Sequence, residues 1–363
     1  MKEVAIKDIC KKDSSALKQK ELLPEGKYPV FGASGIAGYL DRYHQKKEYI
    51  GIVKDGSGIG RVAFYPAESS LIGTMQYVLP KENYDIRDIG YCLQRLDLSK
   101  YKQGAAIPHI YFRDYGEQLV KVTDNWEEQH SIVSRLDSAF SHIDALKANA
   151  EKQLNEARKL FQAELTECMK PKEGWEEKRI KEVGEVIGGT TPSTTNPLFW
   201  GGDICWISPA ELHGEHYLYD SVKKITKEAV EAKSLKELPI GTVILSSRAP
   251  IGKIAINKVP MYCNQGFKCV VCKSELYNEY LYWWFYGKKE YLNSLGTGAT
   301  FLEISKTVVE NIIIPIPPLD TQQAIVSHLD SLSSTIRKLE ELQQKTFAEC
   351  DALKQAMLRE VFE

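Results

Sequence analysis

Hydrophobic and polar positions follow two rhythms along this chain, and the rhythms alternate. From Ile132 to Cys168 apolar residues recur at spacings of three and four, through Leu136, Phe140, Ile143, Leu146, Leu154, Phe161 and Leu165. That spacing lays one apolar stripe along a helix. Asp124 or Asn125 offers an N-cap, and Pro171 and Gly174 stop the run. A second stripe follows Asp320 or Thr321 and runs through Ile325, Leu329, Leu332, Ile336, Leu339, Leu342, Phe347, Leu353 and Val361. Each helix of roughly 42 residues is a rod of about 60 Å. A helix that long with one apolar face needs a partner helix.

Before each rod the pattern is β-like and punctuated by glycine and proline. In residues 1–125 the run Tyr49–Val53, the turn Lys54–Gly58 and the run Ile59–Tyr65 read as strand, Gly-rich turn, strand, with a further strand at Met75–Leu79. Residues 172–320 repeat the style with strands at 203–208, 241–248, 253–256, 268–271 and 311–316. The chain therefore divides into a globule (1–125), a helix (126–171), a globule (172–320) and a helix (321–363).

The two halves are copies. Shifted by 192, Leu245, Ile251, Gly252, Lys253 and Ile254 fall on Val53, Ile59, Gly60, Arg61 and Val62; shifted by 193, Gln322, Ile325, Val326, Leu329, Asp330 and Ile336 fall on Gln129, Ile132, Val133, Leu136, Asp137 and Ile143. One unit of about 190 residues occurs twice. Two like rods in one chain can bury their stripes against each other. The fold class is therefore α+β: two globules in tandem, each followed by a long helix, the helices packing as an antiparallel coiled-coil spacer with pseudo-two-fold symmetry. The expected packing residues are Leu136, Phe140, Ile143, Leu154 and Phe161 on the first helix, with Leu329, Ile336, Leu339, Phe347 and Leu353 on the second.

Composition narrows the function. The net charge is −2; the first globule carries +3 and the three later segments −2, −1 and −2, so any nucleic-acid-binding charge is a local patch. The amino end carries no signal-peptide pattern and no run is apolar enough to span a membrane, which makes the cytoplasm the default location. The eight cysteines are scattered, as expected of reduced thiols. No phosphate loop of the Gly-x-x-x-x-Gly-Lys-Ser/Thr type and no Asn-Pro-Pro-Tyr-like methyltransferase motif is present. Gly56–Gly60 is Gly-rich but leads into a strand, as a hairpin does. Cys269-x-x-Cys272 and His213-x-x-His216 have zinc-like spacing, yet a strand points Cys269 and Cys272 to opposite faces, so no metal is expected there. The aromatic run Tyr280–Tyr286 reads as a core helix, with base stacking as the alternative.

The run Gly174-Trp175, Gly188-Gly189-Thr190-Thr191-Pro192-Ser193, Trp200 and Ile204-Cys205-Trp206-Ile207-Ser208-Pro209 resembles the start of a target recognition domain in the specificity subunits of Type I restriction–modification enzymes. Ser246–Gly252, Asn264-Gln265-Gly266-Phe267, Gly298-Ala299-Thr300 and Ile314–Leu319 resemble later parts of that domain and its passage into the following helix. The first globule departs from this pattern, lacking both the Gly-Trp opening and the Gly-Gly-Thr-Thr-Pro turn. The resemblance implies two target recognition domains, each reading one half of a bipartite double-stranded DNA site, with the helices setting the gap. It implies a chain without catalysis of its own, docked by two modification (adenine-N6 methyltransferase) subunits and by restriction subunits. S-adenosylmethionine, ATP and Mg are expected on those partners and no cofactor on this chain. The competing readings are a stand-alone methyltransferase or nuclease fusion and a coiled-coil scaffold without a DNA role.

Direct readout needs Arg, Lys, Asn or Gln at base edges, and phosphate anchoring uses Lys, Arg, Ser or Thr. Matching loop positions in the two copies nominate Lys54, Ser57, Arg61, Gln76 and Gln103, and Ser247, Arg248, Lys253, Asn264, Gln265, Thr297 and Thr300.

Overall fold

A computed structural model describes residues 1–104, 107–248, 250–298 and 302–363. Thr300 lies outside the described residues. The chain forms two compact units, residues 1–151 with 342–363 and residues 152–341. The long helices run Trp126–Cys168 and Leu319–Phe362, so each unit holds one globule and a portion of both helices.

In the first unit, strands Cys10–Ser14, Met75–Pro80, Tyr49–Val53 and Val62–Tyr65 form an antiparallel sheet in that order. Tyr49–Val53 is buried along its whole length, which explains its unbroken apolar run. In the second unit the corresponding strands are Gly184–Gly188, Phe267–Cys272, Val243–Ser246 and Ile254–Asn257, in the same order, with Tyr217–Leu218 added at the edge. A second small sheet is also built twice. Tyr28–Gly32 pairs antiparallel with Gly35–Leu40 and parallel with Ser70–Leu71; Trp200–Ile207 pairs antiparallel with Lys223–Ile225 and parallel with Tyr262–Cys263. A terminal ribbon closes each globule, Lys2–Ala5 on Leu119–Val122 and Glu176–Arg179 on Ile313–Ile316. The first globule therefore has the fold of the second despite lacking its opening motifs.

The copies diverge in one place. The tight turn between Gly32 and Gly35 is replaced in the second globule by residues 208–222, which return to the sheet through His216, Tyr217 and Leu218. His216 Nε2 lies 2.8 Å from Glu279 Oε2, and its ring stacks on Tyr217 and Tyr282. Burial opposes ionisation of Glu279, but the His216 hydrogen bond and the nearby Lys258 outweigh it and leave the carboxyl below its ordinary range. Tyr280–Phe285 are all buried in the helix Asn278–Gly287, as a core helix requires, while Tyr286 remains exposed.

Each unit contains antiparallel helix pairing. Asp144 meets Lys354 at 2.5 Å and Lys147 meets Asp351 at 2.6 Å in the first; Arg158 meets Glu340 at 2.6 Å and Glu164 meets His328 at 3.0 Å in the second. These exposed pairs set register more than stability. Burial supplies the stability: Ile132, Leu136, Phe140 and Ile143 share a core with Cys350, Leu358, Phe362 and the first globule, and Leu165, Val326 and Leu329 share one with the second. Leu154 is buried, and Phe161, Ile336 and Phe347 are half-buried. Two expected packing residues depart from the stripe. Leu353 is 51% exposed and Leu339 38%. At about 100° per residue, Leu353 lies roughly 120° around the helix from the centre of the face made by Cys350, Leu358 and Phe362. Leu339 lies about 110° from that of Val326 and Leu329, so both fall beyond the edge of the stripe.

A buried charge remains uncompensated. Asp88, 1% exposed on the helix Ile86–Gln94, has no hydrogen-bond partner for either carboxylate oxygen among the described residues. Burial, then the charges of Asp85 and Glu128, push its carboxyl up to about 7. Between about pH 4 and pH 7 the folded state holds a proton that the unfolded chain has released. Stability therefore falls as pH rises through that window, by on the order of 4 kcal/mol in full. Asp88→Asn removes this dependence. Urea unfolding is expected to show the variant gaining on the parent from pH 4 to 7 and holding a constant difference above 7; a difference independent of pH would contradict the assignment.

Candidate nucleic-acid interface

Loops at one end of each sheet are tied together by the same backbone bonds in both copies. In the first globule the hairpin Lys54–Arg61 is shaped by Gly56, Gly58 and Gly60, with φ of +82°, +81° and +83°, values glycine adopts without steric cost. Its base is pinned by Gly60 N–H donating to Val53 O at 2.8 Å. A second loop docks on it. Gln103 and His109 exchange backbone bonds of 2.8 Å, Gly56 N–H donates to Pro108 O at 3.0 Å and Ile110 N–H to Lys54 O at 2.9 Å. His109 Nδ1 lies 2.6 Å from Asp55 Oδ1.

The second globule repeats this at offsets of 192–194. Gly252 N–H donates to Ser246 O at 3.0 Å, Thr297 and Glu303 exchange bonds of 3.0 Å, and Ile304 N–H donates to Ser247 O at 2.9 Å. Arg248 replaces Asp55 and Glu303 replaces His109, and the pair is 3.8 Å apart. The acidic partner has thus moved from the first loop to the second. Two further loops join here. Ser247 N–H donates to Gly266 O at 2.8 Å and Thr190 N–H to Cys263 O at 2.9 Å. Gly189 is required because a Cβ there would lie 2.0 Å from Asn264 O. Thr191 hydrogen-bonds Gln265.

The nominated residues separate by burial. Ser57, Arg61, Gln103, Gln265 and Thr297 are exposed; Lys54 and Arg248 are half-buried beside them. Gln103 Nε2 donates to Asp114 at 2.7 Å. Burial corrects two expectations, Gln76 and Ser247, and two others, Lys253 and Asn264, are half-buried in structural bonds. Gln76 is buried and accepts from the Tyr115 hydroxyl at 2.6 Å, because it sits on an inward-facing strand position. Ser247 is fully buried and accepts from Lys268 Nζ at 3.1 Å. Lys253 donates to the carbonyls of Pro209 and Leu212 at 2.9 and 2.7 Å, which fastens the 208–222 excursion. Asn264 Oδ1 accepts from Gly266 N–H at 2.8 Å and holds its own turn. Each is a satisfied structural group rather than a free contact.

Lys268 was missed. Its buried ammonium reaches Ser247 Oγ, Gln265 O and Glu303 Oε1 at 3.1, 3.2 and 3.2 Å, joining three loops. The available signal was a lone cation between Phe267 and Cys269 in an apolar strand. The matched position in the first copy is Gln76, so both copies bury a polar hub there with different chemistry. The zinc-spaced residues are committed elsewhere: His216 to Glu279, and Cys269 to Cys263, with sulfurs 3.7 Å apart.

Each globule also carries a matched cleft beside its hairpin. One, of about 670 Å³, is lined by Gly60, Arg61, Val62, Gln94 and Gln355; the other, of about 1010 Å³, by Gly252, Lys253, Ile254, Tyr286 and Gln162.

A family model described as the Type I restriction modification DNA specificity domain matches residues 1–156 and again 172–346. The chain belongs to this family. It is 41% identical over 187 residues to the specificity subunit of the Type I restriction enzyme MjaIX of Methanocaldococcus jannaschii, a match covering 50% of this chain and 43% of that one. It is 29% identical over 241 residues to the EcoR124I/EcoR124II specificity subunit of Escherichia coli, covering 64% and 59%. The matched stretches thus span about half the length of these relatives. The fold is similar to that of a chain in a solved structure of a Type I restriction–modification system described as concerning complex assembly and conformational transition (TM-score 0.76, 18% identity, 99% and 97% of the two chains). It is also similar to that of the HsdS subunit from Thermoanaerobacter tengcongensis (TM-score 0.56, 17% identity, 99% and 96%). The family match in both halves agrees with the duplicated fold, and no described helix is long and apolar enough to cross a membrane.

Matched positions provide their own control. Lys253→Ala removes an ammonium that satisfies two carbonyls and is expected to destabilise the second globule by about 1–3 kcal/mol. Arg61→Ala, its exposed counterpart, is expected to cost no more than about 0.5 kcal/mol. Urea unfolding of the two variants checks the contrast.

Proposed function

We propose that this chain is the specificity subunit of a Type I restriction–modification complex, binding double-stranded DNA at two separate half-sites, one per globule. The supporting observation is the loop cluster built twice on the same backbone bonds with different side chains at matched positions, Asp55 and His109 against Arg248 and Glu303. One scaffold presenting two chemistries suits a target whose halves differ in sequence. Exposed Ser57, Arg61, Gln103, Gln265 and Thr297 and half-buried Lys54 and Arg248 are the proposed contacts. Arg248 is the strongest base reader, since a guanidinium matches O6 and N7 of guanine.

Chemistry is assigned to partners. Two modification subunits would bring S-adenosylmethionine and methylate adenine N6 after flipping the base from the duplex. Restriction subunits would bring ATP and Mg for cleavage. The matched clefts offer two equivalent seats for two copies of one partner. With a net charge of −2, the chain relies on those partners for much of the phosphate attraction.

The deciding experiment maps methylated adenines in a genome carrying this chain with its methyltransferase. Two short half-sites separated by a fixed gap are expected; a continuous motif would refute the reading. Arg248→Ala is expected to relax one base position in one half-site, losing about 1–3 kcal/mol of discrimination there, and to leave the other half-site unchanged. Inserting or deleting one repeat step of about 3.5 residues in either long helix is expected to alter the gap while keeping both half-sites.

A further inference from the structure

Within the second unit, the end of the first long helix runs beside the beginning of the second, and three unlike donors converge there. Glu164 and Cys168 stand four residues apart on one helix face, and His328 reaches them from the other helix. Glu164 Oε1 lies 3.0 Å from His328 Nε2 and 3.5 Å from Cys168 Sγ, and all three donor atoms fall within 4.8 Å of one another. Zinc bonds of about 2.0–2.1 Å to nitrogen or oxygen and about 2.3 Å to sulfur place tetrahedral ligands roughly 3.3–3.6 Å apart. The sulfur–oxygen separation of 3.5 Å falls within that range, and the nitrogen–oxygen separation of 3.0 Å lies just below it. The side chains of His328 and Glu164 are 50% and 46% exposed, which leaves an entry path and room for water as a fourth ligand.

We propose that Glu164, Cys168 and His328 bind one divalent cation of the zinc class, which clips the two long helices together in this unit. An imidazole, a thiolate and a carboxylate favour zinc over magnesium or calcium, whose ligands are oxygens alone. Binding forms one bond to each side chain and releases the Cys168 proton to solvent, with no change of oxidation state. The duplication limits the site to one copy. At the 193-residue offset the corresponding positions are Met357, Val361 and Arg135, a set that offers no comparable ligands. Another half-buried thiol, Cys205, is unsuitable because the Lys224 ammonium lies 3.1 Å from its sulfur.

The test uses the full chain, stripped with a chelator and titrated with cobalt(II) in place of zinc. A thiolate-to-cobalt charge-transfer band in the near ultraviolet is expected, saturating at one cobalt per chain and displaced by zinc. Cys168→Ser is expected to abolish it, His328→Ala to weaken binding about tenfold or more, and Cys205→Ser to leave it intact. Added zinc is expected to raise the melting temperature of the parent chain and not that of Glu164→Gln, a variant that keeps the surface shape if Cys168→Ser folds poorly. Absence of the band, its persistence in Cys168→Ser, or a zinc-induced stabilisation unchanged in Glu164→Gln would overturn the proposal.

Discussion

A single buried glutamine in each copy fixes where the long helix leaves its globule. Gln322 is fully buried; its Nε2 donates to Glu275 O and Pro317 O, both at 2.9 Å, and its Oε1 accepts from Tyr277 N–H at 2.8 Å. Gln129 repeats the arrangement with Asn83 O at 3.2 Å, Thr123 O at 2.9 Å and Asp85 N–H at 2.6 Å. The amide joins three segments at once: the end of the closing strand, the approach to the core helix and the first turn of the rod. Losing it would strand several buried backbone groups, each costing about 1–3 kcal/mol. One turn pair later a second tie follows, Asp137 accepting from the Tyr91 hydroxyl and Asp330 from Trp283 Nε1 at 2.9 Å. Any spacing function of the rods depends on these anchors, because a helix loosely joined to its globule would transmit no fixed distance.

Most of the fold was legible because it rests on periodicity. The stripes gave both helices to within a few residues, and the offset of 192–194 identified the duplication. The amino half of each globule was less legible. The 208–222 excursion shifts the register between copies there, so the small sheet is paired alike while few residues align. The Gly-Gly-Thr-Thr turn has a physical reason in the close approach of Gly189 to Asn264 O, and the first globule, where Gly73 N–H bonds to Leu17 O at 2.8 Å instead, does without it. Leu339 and Leu353 show how far spacing alone determines burial. A spacing of three or four places a residue near a stripe, but the drift between 3.5 and 3.6 residues per turn decides whether it is covered.

The candidate interface was only partly legible because polar character in a loop does not reveal commitment. Arg61 and Lys253 occupy the same position; one is exposed and the other holds two carbonyls. The difference arises from a segment inserted more than thirty residues earlier, which no local reading of the hairpin contains. Gln76 and Ser247 were nominated for their polarity and are buried for the same reason: each satisfies a buried partner. Lys268 carried the opposite signal, a charge where apolar residues surround it, and proved to be a hub between loops.

Within the loop clusters the bonds common to the two copies are of one kind and the differences of another. The shared bonds there are backbone to backbone, and they set loop position without regard to neighbouring side chains. The differences fall on side chains set at the ends of those bonds: Asp55 or Arg248, His109 or Glu303, Gln76 or Lys268. Side-chain identity at these points can therefore change with small effect on the fold, since the backbone groups remain satisfied. Exposed positions are the freest of all, and the buried hub requires a matched partner in each case, Tyr115 for Gln76 and Glu303 for Lys268. A change of side chain at the hub would consequently need two substitutions together, whereas a change at the hairpin tip would need one. That asymmetry follows from desolvation alone: an unpaired group costs little in water and several-fold more inside.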